Sequence, residues 1–168
     1  MSMMSIRAAT PRDREAIRLV EEHAFGQQAE AGLVDALVTG GDAVVELVVE
    51  EDGQVVGHIL FSRLYVQNGG KRFAAVALAP LAVEPSFHGT GIGGALIREA
   101  HVRLKEAGET LAVVLGDPTY YGRFGYTHDR AAKFDSEYQG EALQALAWGD
   151  APETGRLVYA SAFTALAA

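Results

Sequence analysis

The stretch Leu78-Ala-Pro-Leu-Ala-Val-Glu-Pro-Ser-Phe-His-Gly-Thr-Gly-Ile-Gly-Gly-Ala-Leu-Ile-Arg-Glu-Ala100 reads as an apolar strand, a short turn and a glycine cluster that opens onto an amphipathic helix. Helix N-termini leave about four backbone N–H groups without intrahelical partners, and the helix dipole adds roughly half a positive charge there. Phosphate and pyrophosphate groups bind such an end readily. Glycines at 89, 91, 93 and 94 remove the side chains that would hold a ligand away from those N–H groups, and they permit positive φ where the turn needs it.

Downstream, the helix is expected to run from about Gly93 to Ala107, burying Leu96, Ala100 and Leu104, with Lys105 in its last turn and Gly108 beyond it. The apolar run Leu111 to Leu115 predicts a strand covered on both faces. Strand, helix, strand makes a right-handed crossover, so Phe73–Val83 and Leu111–Leu115 are expected as parallel neighbours. Asp117-Pro118 caps a short helix that ends at Gly125. Upstream, Val44–Glu51 and Gln54–Val66 are β-branched and aliphatic, with the hairpin dipeptide Asp52-Gly53 between them and Asn68-Gly69-Gly70 after them. Three strands joined by tight turns predict an antiparallel meander.

The chain begins with a short strand, Ser5–Thr10, that meets Thr10-Pro11, an N-cap followed by Pro at the first helical position. The helix that follows continues through Ile17, Leu19, Val20 and Ala24, with Glu15, Glu21 and Glu22 facing out, and Gly26 ends it. A second helix, Ala29–Val38, stops at Gly40-Gly41. Towards the C-terminus a short helix over Glu141–Trp148 and a final strand over Arg156–Phe163 are expected.

The 168 residues are expected to form a single domain spanning 1–168, large enough to bury a sizeable core. Apolar residues at 49% and charged residues at 21% point to a globular chain, and no apolar run approaches the ~18 residues of a spanning helix. Without a basic region followed by a hydrophobic run at its start, the chain shows no secretory signal, which favours a cytoplasmic location. A net charge of −8 without clustered Lys and Arg argues against nucleic acid as a partner. The absence of Cys excludes a disulfide framework, a thiolate zinc site and a Cys acyl-enzyme.

Which phosphate ligand the glycines serve is decided by context. A P-loop needs Gly-Lys-Ser/Thr, whereas Gly93 and Gly94 are followed by Ala95-Leu96. Gly89-x-Gly91-x-x-Gly94 fits a dinucleotide fingerprint letter by letter, with Asp117 further on at a strand end. In that fold, however, the glycines directly follow the first strand. Here Glu84 to His88 intervene, and an antiparallel meander precedes.

A third pattern accounts for both halves of the chain. Val83-x-Pro85-x-x-His88-x-x-Gly91-x-Gly93 resembles the acetyl-CoA signature of the GNAT superfamily of N-acetyltransferases. Gly116-Asp-Pro-Thr-Tyr-Tyr-Gly-Arg-Phe-Gly-Tyr126 resembles that superfamily's second motif, a Tyr followed four residues later by Gly and an aromatic. Together with Leu78-Ala-Pro-Leu-Ala-Val83 and Gly155-x-x-Val158-Tyr159-x-x-Ala162-Phe163, these motifs look like the YhbS-like branch and cover nearly the whole chain in order.

The resemblance implies an α/β (α+β) fold: a mixed, largely antiparallel twisted sheet flanked by helices, with a splayed parallel strand pair holding the cofactor. It implies acetyl-CoA as acyl donor, no metal, and direct transfer to a small-molecule or peptide amine in a ternary complex. A catalytically idle coenzyme A binder or sensor is the alternative. Neither nucleic acid nor a membrane is implied as partner, and the oligomeric state stays open, a homodimer included.

The cofactor-binding residues carried over are Leu81, Ala82 and Val83, whose main chain pairs with the pantetheine arm, and His88, Gly89, Thr90, Gly91, Ile92, Gly93 and Gly94 around the pyrophosphate. Pro80 fits an irregular strand. His88 stands where the superfamily usually carries Gln or Arg, so weaker or pH-sensitive binding is expected with the site retained. Tyr121 is in register with the superfamily's general acid; a phenol of pKa about 10 beside a thiol of about 8.5 donates a proton or hydrogen bond as charge develops. Tyr120 is expected to close the short helix onto the sheet.

No base stands out. Glu50, Glu51, Glu84, His58 and Asp117 qualify by type but read more simply as solvated hairpin or strand-end groups, and His23, His101 and His128 as surface or core histidines. Arg123 has two readings, a structural ion pair with Asp117 or an approach to coenzyme A phosphates, and the ion pair is the one expected. Acceptor choice is assigned to the Phe25–Ala31 turn, the Tyr65–Arg72 turn and the stretch around Tyr138 and Trp148. The acidic balance favours a cationic amine.

Overall fold

The computed structural model describes residues 3–167, with side chains through Thr164. In chain order the elements are β1 (Met4–Ala8), α1 (Arg14–Phe25), α2 (Ala29–Thr39), β2 (Ala43–Glu51), β3 (Gln54–Asn68), β4 (Lys71–Val83), α3 (Ile92–Glu106), β5 (Leu111–Leu115), α4 (Pro118–Tyr121), α5 (His128–Ala131), β6 (Phe134–Asp135), β7 (Leu143–Ala147), β8 (Gly155–Val158) and α6 (Ala162–Ala167). One sheet runs β1-β2-β3-β4-β5-β7, with β8 paired to β3 and to the short β6. The meander is antiparallel, and β4 and β5 are parallel neighbours.

The turns do what their residues dictate. Asp52 and Gly53 take φ of 49° and 85°, the doubly positive geometry whose twist matches that of the flanking strands. Gly26 closes α1 in the left-handed conformation. At the start of α1, the Asp13 carboxylate accepts from the Thr10 N–H and from both terminal nitrogens of Arg7. The Arg7 guanidinium holds that carboxyl well below the usual carboxylate range.

Strand alternation splits the apolar residues between two faces. Leu47, Val49, Ile59, Phe61, Val76, Leu78, Ala112 and Val114 pack against Ile92, Leu96, Ile97, Ala100 and Leu104 of α3. Val48 and Leu60 face the other way, onto Ile17, Leu33, Val34 and Leu37 of α1 and α2. Leu96, Ile97 and Leu104 are wholly buried, and each such side chain contributes about 1.5–3 kcal/mol relative to exposure. A third cluster, with Leu111, Val113, Leu143, Ala145 and Leu157, closes the C-terminal end of the sheet. Among the described residues, no helix is long and apolar enough to cross a membrane.

The feature that positions the site is an interruption in β4. Ile59 pairs with Leu81 and Phe61 with Leu78, so two steps along β3 match three along β4, and the extra residue is absorbed at Ala79-Pro80. On its other edge, β4 pairs with β5 only over Val76–Leu78 against Ala112–Val114. From Ala79 onward the parallel pair parts, and the C-terminal half of β4 has a free edge facing the opening.

Three expectations give way. Glu141–Trp148 is not a helix: Leu143–Ala147 is β7, antiparallel to β5, because the otherwise open edge of β5 takes this segment as partner and overrides its Ala- and Leu-rich helix propensity. The final strand stops at Val158, where the partner positions Tyr65–Gln67 of β3 end, and the chain turns into α6. Glu21 does not face out; it is fully buried against His58.

Candidate active site

Where β4 and β5 part, two depressions lie end to end. The first, a groove of about 620 Å³, runs along the end of β4 and across the start of α3. Leu81, Ala82, Val83, His88, Gly89, Gly91, Ile92, Gly93 and Gly94 all line it. Thr90 does not, since its hydroxyl is turned into the loop, where it donates to the Phe87 carbonyl.

The first hydrogen bond of α3 runs from Ala95 N–H to the Gly91 carbonyl at 3.0 Å. The N–H groups of Ile92, Gly93 and Gly94 therefore precede the ladder and point out of the helix end. Gly91 caps the helix at φ 84°, a conformation that side chains resist, and a Cβ there would meet no protein atom within 4 Å. The space it would take is the groove itself. At Gly93 a Cβ would come within 2.6 Å of the Tyr120 hydroxyl. A diphosphate-bearing ligand thus fits a cradle of bare main chain.

The groove also has a positive rim. The Arg98 guanidinium lies 5.0 Å from the centre of the Phe124 ring, and that of Arg123 lies 5.0 Å from Tyr120 and 5.5 Å from Phe124. Both line the groove. Arg123 is not paired with Asp117, whose carboxylate caps α4 by accepting from the Thr119 N–H at 2.9 Å. Arg98 went unread in the sequence, although it lies one turn beyond Gly94 on the same helical face. His88 reaches back along the strand: Nε2–H donates to the Val83 carbonyl at 2.9 Å, tying the glycine loop to the end of β4.

The second depression, a cavity of about 440 Å³, opens between the parted strands and is lined by Ala77–Leu81, Val113–Leu115 and Tyr121. Phe25, Glu30 and Leu33 enclose it from the α1–α2 side, and Tyr138, Leu143, Tyr159 and Phe163 from the C-terminal side. Groove and cavity share Phe25 and Leu81, so they form one path. The Tyr121 ring packs against Gly116, where a Cβ would come within 2.6 Å of it. Burial pushes the Tyr121 phenol up to about 12. The two adjacent tyrosines therefore divide: Tyr121 faces the cavity, while Tyr120 faces the groove over Gly93 and does more than close the helix onto the sheet.

The residues expected to set acceptor choice are partly replaced. Phe25, Glu30 and Tyr138 line the cavity, but the Tyr65–Arg72 turn and Trp148 do not. Arg72 stacks on Tyr65 at 3.8 Å, and Trp148 packs edge-on against His101. Tyr159 and Phe163 take their place.

The remaining polar candidates lie away from the groove and cavity or are engaged with other residues. Glu50 is bonded to Arg7, and Glu84 to His23. Glu51 ends β2 opposite Met4. His58, expected at a solvated strand, is completely buried; Nδ1 lies 2.7 Å from Glu21 Oε2, and Nε2 lies 2.7 Å from Glu46 Oε2, with Arg14 on the far side of Glu46. Burial disfavours the imidazolium, but the two carboxylates outweigh it and raise the His58 pKa. This chain resembles a catalytic relay, yet neither groove nor cavity is lined by His58 or Glu21, so it serves as an internal clamp between α1, β2 and β3. His101 is buried, with Nε2 at 2.9 Å from the Tyr126 hydroxyl, and His128 Nδ1–H donates to the Leu143 carbonyl. Among the described residues no three His, Asp or Glu side chains group as a metal site would require.

Comparison with known proteins accounts for this geometry. A profile of the acetyltransferase (GNAT) domain matches residues 5–128. An uncharacterized N-acetyltransferase of Escherichia coli K12, YhbS, is 39% identical over 124 residues, 73% of each chain. The crystal structure of a GNAT family acetyltransferase from Brucella melitensis in complex with acetyl-CoA superposes with a TM-score of 0.82 at 39% identity, covering 96% of this chain and 98% of that one. The structure of the E. coli YhbS protein in complex with CoA superposes with a TM-score of 0.89 at 32% identity, covering 98% and 93%. A mixed, mostly antiparallel sheet with one parallel pair, flanked by helices, is the fold that these proteins share, and the chain belongs to the GNAT family of N-acetyltransferases.

Proposed function

We propose that this chain transfers an acetyl group from acetyl-CoA directly to an amine within a ternary complex. The observation that carries this reading is the single path formed by groove and cavity, which meet at Phe25 and Leu81. The N–H groups of Ile92, Gly93 and Gly94 hold the pyrophosphate at the groove end, with Gly89 and Gly91 giving it access and Arg98 and Arg123 adding charge at the rim. Thr90 stabilises the loop from within. The free edge of Leu81–Val83 pairs with the pantetheine arm as an added strand would, and His88 fixes that edge. Bound acetyl-CoA supplies an activated acetyl group as a thioester at the mouth of the cavity.

In the transfer a C–N bond forms and the C–S bond breaks. An amine entering as ammonium gives up two protons, one reaching sulfur and one reaching solvent. Tyr121 serves the sulfur. A phenol at about 12 stays protonated at neutral pH. It lies above an ordinary thiol of about 8.5, so the phenol gives up its proton less readily than the thiol it serves. Tyr121 therefore acts as a hydrogen-bond donor to the charge developing on sulfur, and water completes the protonation.

The reading is tested by thermal shift and by thiol release. Acetyl-CoA raises the melting temperature while NADH and ATP do not, and an amine panel releases free thiol from acetyl-CoA. No shift with acetyl-CoA would remove the proposal. A shift without thiol release from any amine would leave a coenzyme A binder in place of an enzyme.

A further inference from the structure

We propose that the cavity admits a small primary amine carrying no acidic group, with Glu30 holding its ammonium and an aromatic wall holding its apolar body. The inference rests on the N-acetyltransferase reading and adds the chemical class of the acceptor. Among the described residues that line the cavity, Glu30 is the one carboxylate, and none is Lys, Arg or His. Glu30 is half-buried in the first turn of α2. Gln27 Nε2 donates to its two oxygens at 3.0 and 3.2 Å. A carboxylate has about four acceptor sites, so this contact orients Glu30 and leaves positions for an ammonium.

In the same lining, the Tyr138 and Tyr159 rings meet edge to face at 5.3 Å, and Phe163 lies 5.9 Å from Tyr159. The Ser136 hydroxyl, 3.2 Å from that of Tyr159, fixes the middle ring. The π-faces of such a wall attract an ammonium and repel an anion.

The same features decide against amino acids as acceptors. A carboxylate next to the amine would enter an apolar cavity with no cation to meet it and with Glu30 opposing it. Burying an unpaired carboxylate costs several kcal/mol. A cationic amine of the same shape meets the opposite sign at each point.

The test compares two molecules that differ by a single carboxylate. Phenethylamine and phenylalanine are titrated by calorimetry into the protein, both free and loaded with coenzyme A, so that amine binding is read without turnover. Phenethylamine is expected to bind at least about tenfold more tightly than phenylalanine. Glu30→Gln is expected to weaken phenethylamine about tenfold with the melting temperature and coenzyme A affinity retained, and Glu30→Asp to restore part of the loss. Equal binding of the two molecules, no binding of phenethylamine to either form, or indifference to Glu30→Gln would each overturn the proposal. Failure of acetyl-CoA to bind is read separately and overturns the N-acetyltransferase reading instead.

Discussion

The groove and the cavity share Phe25 and Leu81 but are built from different material. The groove is made of main chain: free N–H groups at the start of α3, an unpaired strand edge, and glycines that keep side chains out. The cavity is made of side chains, drawn from the α1–α2 turn, the parted strands, α4 and the C-terminal segment. A main-chain site is damaged by adding atoms, and a side-chain site by removing them. This difference also separates a part suited to one fixed ligand from a part free to change its acceptor by substitution.

The largest test adds atoms to the groove. Gly91→Val places a branched side chain in the open groove at φ 84°, where a left-handed conformation alone costs roughly 1–2 kcal/mol. Acetyl-CoA affinity, measured by calorimetry, is expected to fall about 10³-fold. A loss below tenfold would show that the ligand does not lie over the helix start.

Removing one oxygen from the cavity comes next. Tyr121→Phe is expected to lower turnover about 10²-fold and to leave acetyl-CoA affinity within about twofold. If turnover is unchanged, the developing thiolate finds its donor elsewhere.

A pH challenge then distinguishes the anchoring of α3, which carries the groove. His101 on that helix is buried against Tyr126 and Trp148, and burial, with Lys105 nearby, lowers its pKa to about 4. An unfolded His titrates near 6.5, so the stabilisation from keeping it neutral is present above pH 6.5 and is lost as pH falls from 6.5 towards 4. At pH 5 this residue is expected to make the fold about 2 kcal/mol less stable than at pH 7. Urea unfolding at both values checks this, and His101→Gln should remove that part of the difference. An identical pH dependence in the variant would place the titration elsewhere.

The smallest effect sharpens how far the groove depends on main chain. His88→Ala removes the bond to the Val83 carbonyl, worth about 1 kcal/mol, and is expected to weaken acetyl-CoA about fivefold. His88→Gln supplies an equivalent N–H and should restore most of it. A loss above thirtyfold in the Ala variant would mean that the ring touches the ligand directly.

The contrast also explains what could be read before the fold was known. The groove lies mostly within residues 81–94, and its requirement for glycine, for a strand end and for a helix start is written in residue types close together in the chain. The parallel pair, the meander and both tight turns follow from the same local signals. The C-terminal segment was misread because Leu143–Ala147 has a helical composition and becomes a strand only when β5 offers an edge. Arg98 has no sequence reading, and Tyr120 reads only as closing the short helix, because their places at the groove depend on tertiary contacts with Phe124 and Gly93.

Glu21 and His58 read as exposed polar residues by residue type, although their neighbours Val20, Ile59 and Leu60 are buried. They are buried as a pair from elements 37 residues apart, and burial of a charged group depends on a partner that local pattern does not reveal.

The sequence by itself determined the glycine-opened helix start, the strands that lead to it and the tyrosine motif that follows. Backbone geometry and strand periodicity are local constraints, and they act wherever those residues occur. Tertiary structure alone decided that Tyr121 and Tyr120 face different compartments, that His58 is sealed away from both, and that Glu30 lines one cavity with aromatic residues more than a hundred positions later in the chain. Those outcomes depend on the parting of β4 from β5 and on the route of the C-terminal segment, which bring distant side chains to one cavity through packing that no local signal encodes.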